Sequence, residues 1–441
     1  MENSYSTLFL YSFFDLLNCN CEYAVLRNFD GLPDKNTSRD IDIVINKSAY
    51  KTIKPKLIEL INQFGWKIIT LLVSDRLITW VCGHIDKEGN VDVIQFDFFY
   101  HTSVFGIYLL SADEYLQSRE FNGKLYHVSK EYEFLDKYLY DRAVGVAYPD
   151  KYYSIRQIVE KNRNVLYAVK RIFGSKTLVE CDTTSSRKLL TRVLMKNLMR
   201  SPITTIGRLI RFDFYHVKNY IYSNTGFSLG FTGPDGSGKT TVIDLMIERL
   251  GGVFHKAHYY YHFRPQLFGN LGEVAYSTGI KKEVDRNYNE PHRGEKTGKL
   301  SSITRLIYYS QDYIWGYLLK VKTVTRITRL VVFDRYYTDI IVDSRRSRIY
   351  LNYKFLYWFG RLFIPSLDYN ILLTADSEVI LKRKQELDSE GICSINEKIE
   401  YLSTKKGYSK VLNESTPENA VEKILSYIFE QQHQKNLKRL K

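Results

Sequence analysis

The half of the chain that begins near residue 227 alternates short apolar runs with segments of helical periodicity. Three apolar runs, "GFSLGFTG", "RLVVFD" and "YNILLTA", have the length and near-continuous hydrophobicity of strands that are buried on both faces. Between and after them, apolar side chains recur at spacings of three and four, which predicts helices with one buried side. The buried stripes are expected at Val242, Leu245, Met246 and Leu250 in one helix, and at Ala420, Val421, Ile424, Leu425 and Ile428 in the last. The alternation predicts an α/β domain over residues 227–441, with a parallel sheet and flanking helices.

The first 150 residues have a different pattern, in which strands dominate. Alternating or apolar runs predict strands at "YAVL", "DIDIVI", "WKIITLLV", "RLITWV" and "VDVIQFDFF", and the loop "DKEGN" predicts a hairpin between the last two. One helix is expected from about Ser48 to Gln63. A mixed α/β domain is therefore predicted over residues 1–150.

Residues 151–226 are helical in pattern and strongly basic. They contain fifteen Lys and Arg against four Asp and Glu. The difference between these counts makes up most of the chain's formal net charge of +14. In "RKLLTRVLMKNLMRSP" one helical face carries Leu190, Val193, Leu194 and Leu198, another carries Lys188, Arg192 and Lys196, and Pro202 stops the run. The segment is predicted to be a helical basic connector, whose charge suits either a solvated linker or weak contact with an anionic membrane.

Length and composition exclude several classes of protein. A chain of 441 residues predicts two or three domains, and 44% hydrophobic residues are enough to give each of them a core. No apolar stretch approaches the roughly 20 residues that span a bilayer. The five cysteines include no C-x-x-C pair, which argues against a structural zinc site and a disulfide framework. A reducing, cytoplasmic location is expected.

The segment "GFTGPDGSGKTTV", from Gly230 to Val242, contains the most specific motif in the sequence. It fits the pattern G-x-x-x-x-G-K-[ST], with a predicted strand before it and a predicted helix after it. Glycines let backbone N–H groups surround phosphate oxygens, the lysine reaches the β and γ phosphates, and the threonine hydroxyl ligates Mg²⁺. The predicted nucleotide-binding residues are Gly233, Asp235, Gly236, Ser237, Gly238, Lys239, Thr240 and Thr241.

Two further motifs place charge after predicted strands. The run "LVVFDRYYTD" puts Asp334 at the carboxyl end of a strand, where a carboxylate can hold Mg²⁺, and Arg335 beside it can clamp a phosphate. In "TADSEVILKRKQELDSEG", Ser377 is expected to cap a helix that carries Lys382, Arg383 and Lys384 toward a polar loop. This helix is either a solvated surface or a basic lid that closes over the transferred phosphoryl group.

The runs "GPDGSGKTT", "DRYY" and "LLTADSEVILKRK" resemble thymidylate kinase and its nucleoside-monophosphate-kinase relatives over about residues 227 to 430. The resemblance implies a P-loop NTPase fold, ATP and Mg²⁺ as phosphoryl donor, and catalytic roles for Lys239, Asp334, Arg335 and Arg383. It implies that Arg335 grips the phosphate of the acceptor. It also points to Arg383 as the lid arginine, since Gly236 stands where some family members carry an arginine.

The sequence departs from that family where the acceptor would bind. In place of a T-R-E-P-like segment it has "HFRPQLFGNLGE", followed by a long insertion through "RNYNEPHRGEKTGKLSS". The expected acceptor is therefore a sugar, polyol or nucleotide phosphate other than thymidylate. Arg264 and Arg293 are the candidates to meet an anionic acceptor.

In the first domain, "SRDIDIVI" places Asp40 and Asp42 on the same face of one strand. Asp97 lies on a later strand that can run alongside, and three such carboxylates suit Mg²⁺. The set resembles the metal triad of the nucleotidyltransferase fold, shared by DNA polymerase β-like and aminoglycoside nucleotidyltransferases, over about residues 5 to 148. "RNFDGLPDKNTS" replaces the usual glycine and serine ahead of the acids, so a binding domain without activity is the alternative. Asp92 is an alternative third ligand, although it faces the opposite side of its strand.

The sequence leaves two functions open. The first is a phosphotransferase fused to a nucleotidyltransferase-like domain, a combination that the resemblance connects with surface-polysaccharide synthesis. The second is a non-catalytic, nucleotide-dependent switch whose basic connector binds a membrane or nucleic acid. No motif that reads RNA or DNA accompanies the basic segment, which argues against sequence-specific nucleic-acid binding. The sequence also leaves a homodimer open.

Overall fold

The structure is a computed structural model that describes residues 5–222, 225–254, 258–269, 298–327, 329–383 and 389–441. The chain forms two compact units. The first contains Met1–His84, Asp92–Ser223 and Lys435–Lys441, and the second contains Ile85–Val91 and Asn224–Gln434. The predicted α/β class is confirmed. The predicted domain boundaries at residues 150 and 226 stay predictions.

The first unit is built on a seven-stranded mixed sheet. Its strands are β1 (Tyr23–Val25), β2 (Asp40–Ile45), β3 (Lys67–Val73), β4 (Leu77–Ile85), β5 (Val91–Phe99), β8 (Arg119–Phe121) and β9 (Tyr126–Val128), in the order β3-β4-β5-β2-β1-β9-β8. The shorter strands β6 (His101–Val104) and β7 (Ile107–Ser111) pair with each other. All five strands predicted here are present, and β2 and β5 run parallel side by side.

Helices pack on this sheet around two apolar cores. They are α1 (Tyr5–Asn20), α2 (Lys47–Gln63), α3 (Ala112–Gln117), α4 (Lys130–Val144), α5 (Tyr153–Val159), α6 (Arg163–Phe173), α7 (Leu178–Thr183), α8 (Ser186–Arg200) and α9 (Pro202–Tyr222), with a 3₁₀ turn at Asp150–Tyr152. In the first core, the rings of Phe9 and Phe13 on α1 stack on Trp66 and Phe96. Such large aromatic contacts supply much of the apolar area that stabilises the unit.

The basic helices after residue 150 contribute to the second core. α6 buries Val165 and Val169 there, and α8 buries Leu189 and Val193. The predicted apolar face of α8 is therefore rotated by about one residue, because Leu190 packs only at the edge of this core. Pro202 ends α8 as predicted, since a proline starts a helix easily but cannot continue one.

The second unit is built on a five-stranded sheet in which all neighbours run parallel. Its strands are β10 (Phe227–Thr232), β11 (Tyr259–His262), β12 (Leu330–Asp334), β13 (Tyr369–Thr374) and β14 (Tyr408–Leu412), in the order β11-β12-β10-β13-β14. The three strands predicted for this region are confirmed as β10, β12 and β13. Their carboxyl ends lie at one edge, where ligands bind in open parallel sheets.

Helices connect these strands. They are α10 (Lys239–Leu250), α11 (Lys299–Gly316) with a π-helical continuation at Tyr317–Val321, α12 (Lys322–Thr325), α13 (Tyr337–Val342), α14 (Ser344–Ser347), α15 (Tyr353–Phe363), α16 (Ser377–Arg383), α17 (Ser389–Ser403) and α18 (Pro417–Leu440). In α10 the buried stripe contains Ile243, whereas the predicted Leu245 is only half-buried. The five inward positions predicted for the last helix are all buried. None of the helices that the structure describes is long and apolar enough to cross a membrane.

Candidate functional site

The glycine loop joins the carboxyl end of β10, the central strand of its sheet, to α10. Gly236 and Gly238 have φ angles of 86° and 85°, a left-handed conformation that L side chains rarely adopt. A Cβ atom on Gly233 would lie 1.9 Å from the carbonyl oxygen of Leu373 on β13. The loop therefore needs glycine for two turns and for one close approach of backbones, as a strand, loop and helix that cradle phosphate require.

Lys239, the first residue of α10, points back into the loop. Its Nζ donates hydrogen bonds of 2.8 Å to the carbonyl oxygens of Gly233 and Pro234, and the residue is 5% exposed. Burial, and secondarily the Arg335 guanidinium, lower the pKa of Lys239 to about 8. The loop thus holds a poorly solvated cation that a bound anion would stabilise.

Asp235 connects the loop to two arginines that come later in the chain. Its Oδ1 accepts a hydrogen bond from Nη2 of Arg335, and its Oδ2 accepts one from Nη2 of Arg346. Arg335 has a left-handed backbone with φ of 74°, which is unusual for a residue other than glycine. In this structure Arg335 therefore contacts the carboxylate of the loop, and its contact with an acceptor phosphate stays a prediction.

Asp334 ends β12 beside the loop. The parallel register with β10 sets it opposite Phe231, two residues before Gly233. Its Oδ2 accepts a hydrogen bond of 3.2 Å from the hydroxyl of Tyr260, and its Oδ1 has no hydrogen-bond partner in the described part of the chain. Mg²⁺ prefers oxygen ligands, and carboxylate oxygens above all. Thr240, the predicted second ligand, is exposed on the first turn of α10.

A second buried acid lies on the other side of Arg335. Oδ1 of Asp339 is 3.6 Å from Nε of Arg335, and Nε2 of His262 is 3.1 Å from its Nη1. Burial raises the pKa of Asp339 to about 7, although the guanidinium of Arg335 opposes this. Arg335 is therefore the centre of a charged network that reaches the loop, β12 and α13.

Arg383, the last residue of α16, lies beside the second turn of the loop. Its Nη1 donates a hydrogen bond of 3.1 Å to the carbonyl oxygen of Asn413, and lies 3.8 Å from where a Cβ on Gly238 would be. Asn413 in turn donates through Nδ2 to the carbonyl oxygen of Ser237 at 2.9 Å. The structure thus brings the predicted lid arginine to the loop.

Other predicted residues are not brought to the loop. Arg264 is 4% exposed, and its Nη1 pairs with Oδ2 of Asp312 at 2.9 Å, so this guanidinium fixes the segment after β11 to α11. Ser377 is the first residue of α16, which shifts the predicted cap by one position. Arg293 and Lys384 lie outside the described residues.

The acids of the first unit form a cluster. β2 pairs in parallel with β5 so that Asp42 is directly opposite Asp97, and one carboxylate oxygen each from Asp40, Asp42 and Asp97 lie within 4.8 Å of one another. Oδ2 of Asp42 accepts a hydrogen bond from Nε of Arg27, while its buried Oδ1 has no hydrogen-bond partner in the described residues. Burial, partly offset by Arg27, raises the pKa of Asp42 to about 6.

Asp92, the alternative third ligand, is outside this cluster. Its Oδ2 accepts a hydrogen bond of 2.8 Å from Oγ of Ser6 at the exposed surface. The alternation of side chains along β5 accounts for the separation of Asp92 from Asp97.

Several residues of these two sites could not be predicted from the sequence. Arg346, His262 and Asn413 contact the loop network, and Arg27 contacts the acid cluster, yet each is distant along the chain from the motif that it meets. The run "SRRSR" soon after Asp334 is the signal that points toward Arg346. For the others no local pattern distinguishes them from ordinary polar positions.

This chain is similar to proteins among the solved structures, and it matches no protein-family model and no curated protein. Among solved structures, a thymidylate kinase from Ehrlichia chaffeensis is similar at 16% identity and a TM-score of 0.32, over 46% of this chain and 98% of that chain. A thymidylate kinase from Candida albicans is similar at 18% identity and a TM-score of 0.33, over 47% of this chain and 93% of that chain. Likenesses this low establish no activity.

Proposed function

We propose that the second unit is an ATP- and Mg²⁺-dependent phosphotransferase, which moves the γ-phosphoryl group of ATP to a small acceptor. The observation that carries the proposal is the buried ammonium group of Lys239, held at 2.8 Å by two carbonyl oxygens of the glycine loop. The loop N–H groups, the N-terminus of α10 and this lysine all favour negative charge at one place. A nucleoside triphosphate supplies that negative charge.

On the donor side, Lys239 would exchange its two carbonyl contacts for phosphate oxygens. Thr240 and Asp334 would hold Mg²⁺, which neutralises charge on the β and γ phosphates. The buried Oδ1 of Asp334 supports this assignment: it accepts no hydrogen bond in the described residues, and Nη1 of Arg335 lies 3.9 Å away, which is too far for one.

Arg335 and Arg383 would stabilise negative charge on the transferred group from two sides. Arg335 is held by Asp235 and by Asp339, so its position is fixed before any ligand binds. Arg383 is exposed at the end of its helix, where its Nη1 donates a hydrogen bond to the carbonyl oxygen of Asn413. A preorganised arginine beside a movable one is a suitable pair for phosphoryl transfer.

The acceptor is proposed to be a sugar, polyol or nucleotide phosphate. Incubation of the purified chain with ATP, Mg²⁺ and a panel of such compounds, followed by ³¹P NMR, should reveal ADP and one new product: a phosphate ester where a hydroxyl accepts the group, or a phosphoanhydride where a phosphate accepts it. Asp334→Asn should abolish transfer and retain ATP binding in calorimetry. Glu248→Gln, at an exposed position of α10 about two turns beyond Thr240, is the matched control and should retain both.

Two outcomes would contradict the proposal. One is a wild-type chain that binds no ATP in magnesium buffer. The other is phosphoryl transfer that persists unchanged in Asp334→Asn, since the metal-holding carboxylate would then be dispensable.

We propose as a second activity that the acid cluster of the first unit holds Mg²⁺ for nucleotidyl transfer. The approach of three carboxylates to within 4.8 Å favours this, because such a group is unstable without a cation or a proton. A kinase makes a phosphate ester, and a nucleotidyltransferase can join that ester to a nucleotide, which fits a role in surface-polysaccharide synthesis. The test is pyrophosphate release from nucleoside triphosphates in the presence of the kinase product. Release that is as fast in Asp42→Asn as in wild type would refute the assignment.

A further inference from the structure

A cavity of ≈ 540 Å³ opens in the first unit beyond the carboxyl ends of β2 and β5. It lies away from the acid cluster: Asn46, which lines it, follows Asp42 by four residues, or roughly 13 Å along an extended strand. Walls come from the start of α2, the segment after β5, β7 and α9. Its volume is in the range that holds a small metabolite.

The charges of this cavity are one-sided. Lys47, Arg208 and Arg211 line it, and no carboxylate is among its lining residues in the described chain. Asp75 lies behind the wall, with its Oδ1 at 3.4 Å from Nζ of Lys47 and at 3.9 Å from Nε of Arg211. A second carboxylate, that of Asp113, accepts a hydrogen bond of 2.9 Å through Oδ1 from Nδ2 of Asn46. Three cations against two carboxylates still leave an excess of positive charge, which suits an anion.

An aromatic stack fixes one of these cations. The guanidinium carbon of Arg208 lies 3.9 Å from the centroid of the Tyr108 ring, which stacks on the ring of His101 at 3.7 Å. His101 also lines the cavity and is 4% exposed. Its Nε2 faces Asp75 at 3.4 Å, while its Nδ1 has no hydrogen-bond partner among the described residues. The ring therefore belongs to the buried wall of the cavity, and a ligand that packs on Tyr108 would change its surroundings.

Two helices begin at the cavity. Asn46 and Lys47 at the start of α2, and Ile203 and Thr204 at the start of α9, belong to its lining. The side chain of Asn46 makes no capping hydrogen bond to α2, so the first-turn N–H groups lack a partner from it. Helix N-termini attract phosphate through such N–H groups and through the helix dipole.

We infer that this cavity binds a dianionic phosphate monoester. The phosphoryl group would lie between Arg208, Arg211 and Lys47, and the organic part would pack on the aromatic wall. The monoester comes either from a soluble metabolite or from a lipid headgroup, because Ile203 begins an exposed apolar stripe of α9 that continues through Ile206, Ile210, Phe214 and Val217. The inference is independent of both activities proposed above.

The test must exclude phosphate binding by the glycine loop, so all measurements use the full chain carrying Lys239→Ala. Calorimetry with inorganic phosphate and flotation with vesicles containing phosphatidic acid are the two arms. The double variant Arg208→Ala with Arg211→Ala should weaken binding roughly tenfold to a hundredfold, since each removes a charged hydrogen bond. Lys218→Ala removes one charge from an exposed position of α9 outside the cavity and is the matched control for Arg208→Ala alone, which also removes one charge.

Each outcome has a defined meaning. Phosphate binding that the double variant loses supports the inference, and it identifies a soluble metabolite as the source when the vesicles are not bound. Vesicle binding without phosphate binding, lost in the same variant, supports it and identifies a lipid headgroup. Binding in neither arm, or an equal loss in Lys218→Ala, overturns it. Ring ¹⁵N resonances of His101, assigned with His101→Gln, should shift with the ligand and show that the cavity itself is occupied.

Discussion

The glycine loop of the second unit and the acid cluster of the first have opposite electrostatic problems. In the loop, burial lowers the pKa of Lys239 to about 8, so the site disfavours its own cation. In the cluster, burial raises the pKa of Asp42 to about 6, so the site disfavours its own anion. Each site retains a charge that its protein partners stabilise only in part, so a ligand of the opposite sign would stabilise it further. The comparison therefore predicts an anionic ligand for the loop and a cation for the cluster.

The two sites also differ in how their internal charges are balanced. Asp235 joins Arg335 and Arg346 in the loop network, whereas Arg27 is the cation hydrogen-bonded to Asp42 in the cluster. In the loop network Asp235 is the carboxylate that both arginines share, and each arginine has a further acid nearby: Asp339 at 3.6 Å from Arg335 and Asp343 at 3.5 Å from Arg346. The cluster depends on one arginine for several carboxylates. Removing the charged group that joins the others in either site, Asp235 or Arg27, should have the largest effect.

The largest expected effect is that of Asp235→Asn. This change removes the carboxylate that the buried Arg335 and the half-buried Arg346 share, while Asp339 and Asp343 remain beside them. It should lower the free energy of unfolding of the second unit by about 3 kcal/mol, the low end of what breaking a buried ion pair costs. Chemical denaturation of wild type and variant measures the loss. Asp244→Asn, at an exposed position of α10, should change it by no more than about 0.5 kcal/mol.

The same variant can sharpen the comparison. Because a triphosphate supplies the negative charge that Asp235 provided, ATP should stabilise Asp235→Asn more than it stabilises wild type. A loss of about 1 kcal/mol in the free energy of unfolding is typical of an exposed ion pair. If Asp235→Asn lost less than this without ATP, the arginines would not depend on Asp235.

The next effect concerns the metal in the first unit. Mn²⁺ or Mg²⁺ at about a hundred times its Kd should raise the free energy of unfolding by about 2.7 kcal/mol. Asp42→Asn and Asp97→Asn should each remove most of this gain. Thermal unfolding with and without the metal measures it, and an undiminished gain in both variants would disprove the site.

The pH dependence of this metal effect follows from the raised pKa of Asp42. The folded state binds this proton more tightly than the unfolded state, so without metal the stability falls as pH rises from about 3.8 to about 6. A bound cation replaces the proton. The stabilisation by metal should therefore be complete above pH 6 and decline as the pH is lowered through that value.

The two sites also show what a sequence reveals. The glycine loop is visible because its chemistry lies within a few consecutive residues, and its turns at Gly236 and Gly238 follow from local backbone rules. The parallel sheet around it is visible because fully buried strands are short and apolar. The spacing of Asp40 and Asp42 shows that they share a face, and the alignment of Asp97 with Asp42 then depends on one strand pairing.

The remaining features could not be read from the sequence. Arg346 meets Asp235 across 111 positions of chain, and Asn413 meets the carbonyl of Ser237 across 176. Such contacts are set by how whole elements pack, which periodicity does not specify. The exact buried face of α8 is another case, since Leu189 and Leu190 are chemically identical and only packing decides which one enters the core.

A smaller effect concerns the protonation of Lys239. Only the ammonium form attracts phosphate, so ATP affinity should fall as pH rises above about 8, by at most tenfold per pH unit. The ATP-free second unit should behave in the opposite way: a lowered lysine pKa means that its stability rises as pH increases from about 8 toward 10.5. Lys239→Arg should bind ATP more weakly and without this dependence, because arginine keeps its proton. Calorimetric titration of ATP at a series of pH values separates the two behaviours.

The smallest expected effect is that of Asp92→Asn, which tests whether the cluster is defined by strand face or merely by acidic charge. Asp92 lies on β5 as Asp97 does, but it faces the other side and bonds to Ser6 at the surface. The substitution should change the free energy of unfolding by no more than about 0.5 kcal/mol and leave the stabilisation by Mn²⁺ intact. If the metal effect disappeared in Asp92→Asn and persisted in Asp97→Asn, the cation would be held by charge on the outer face of β5, and the contrast between a buried anion site and a buried cation site would fail.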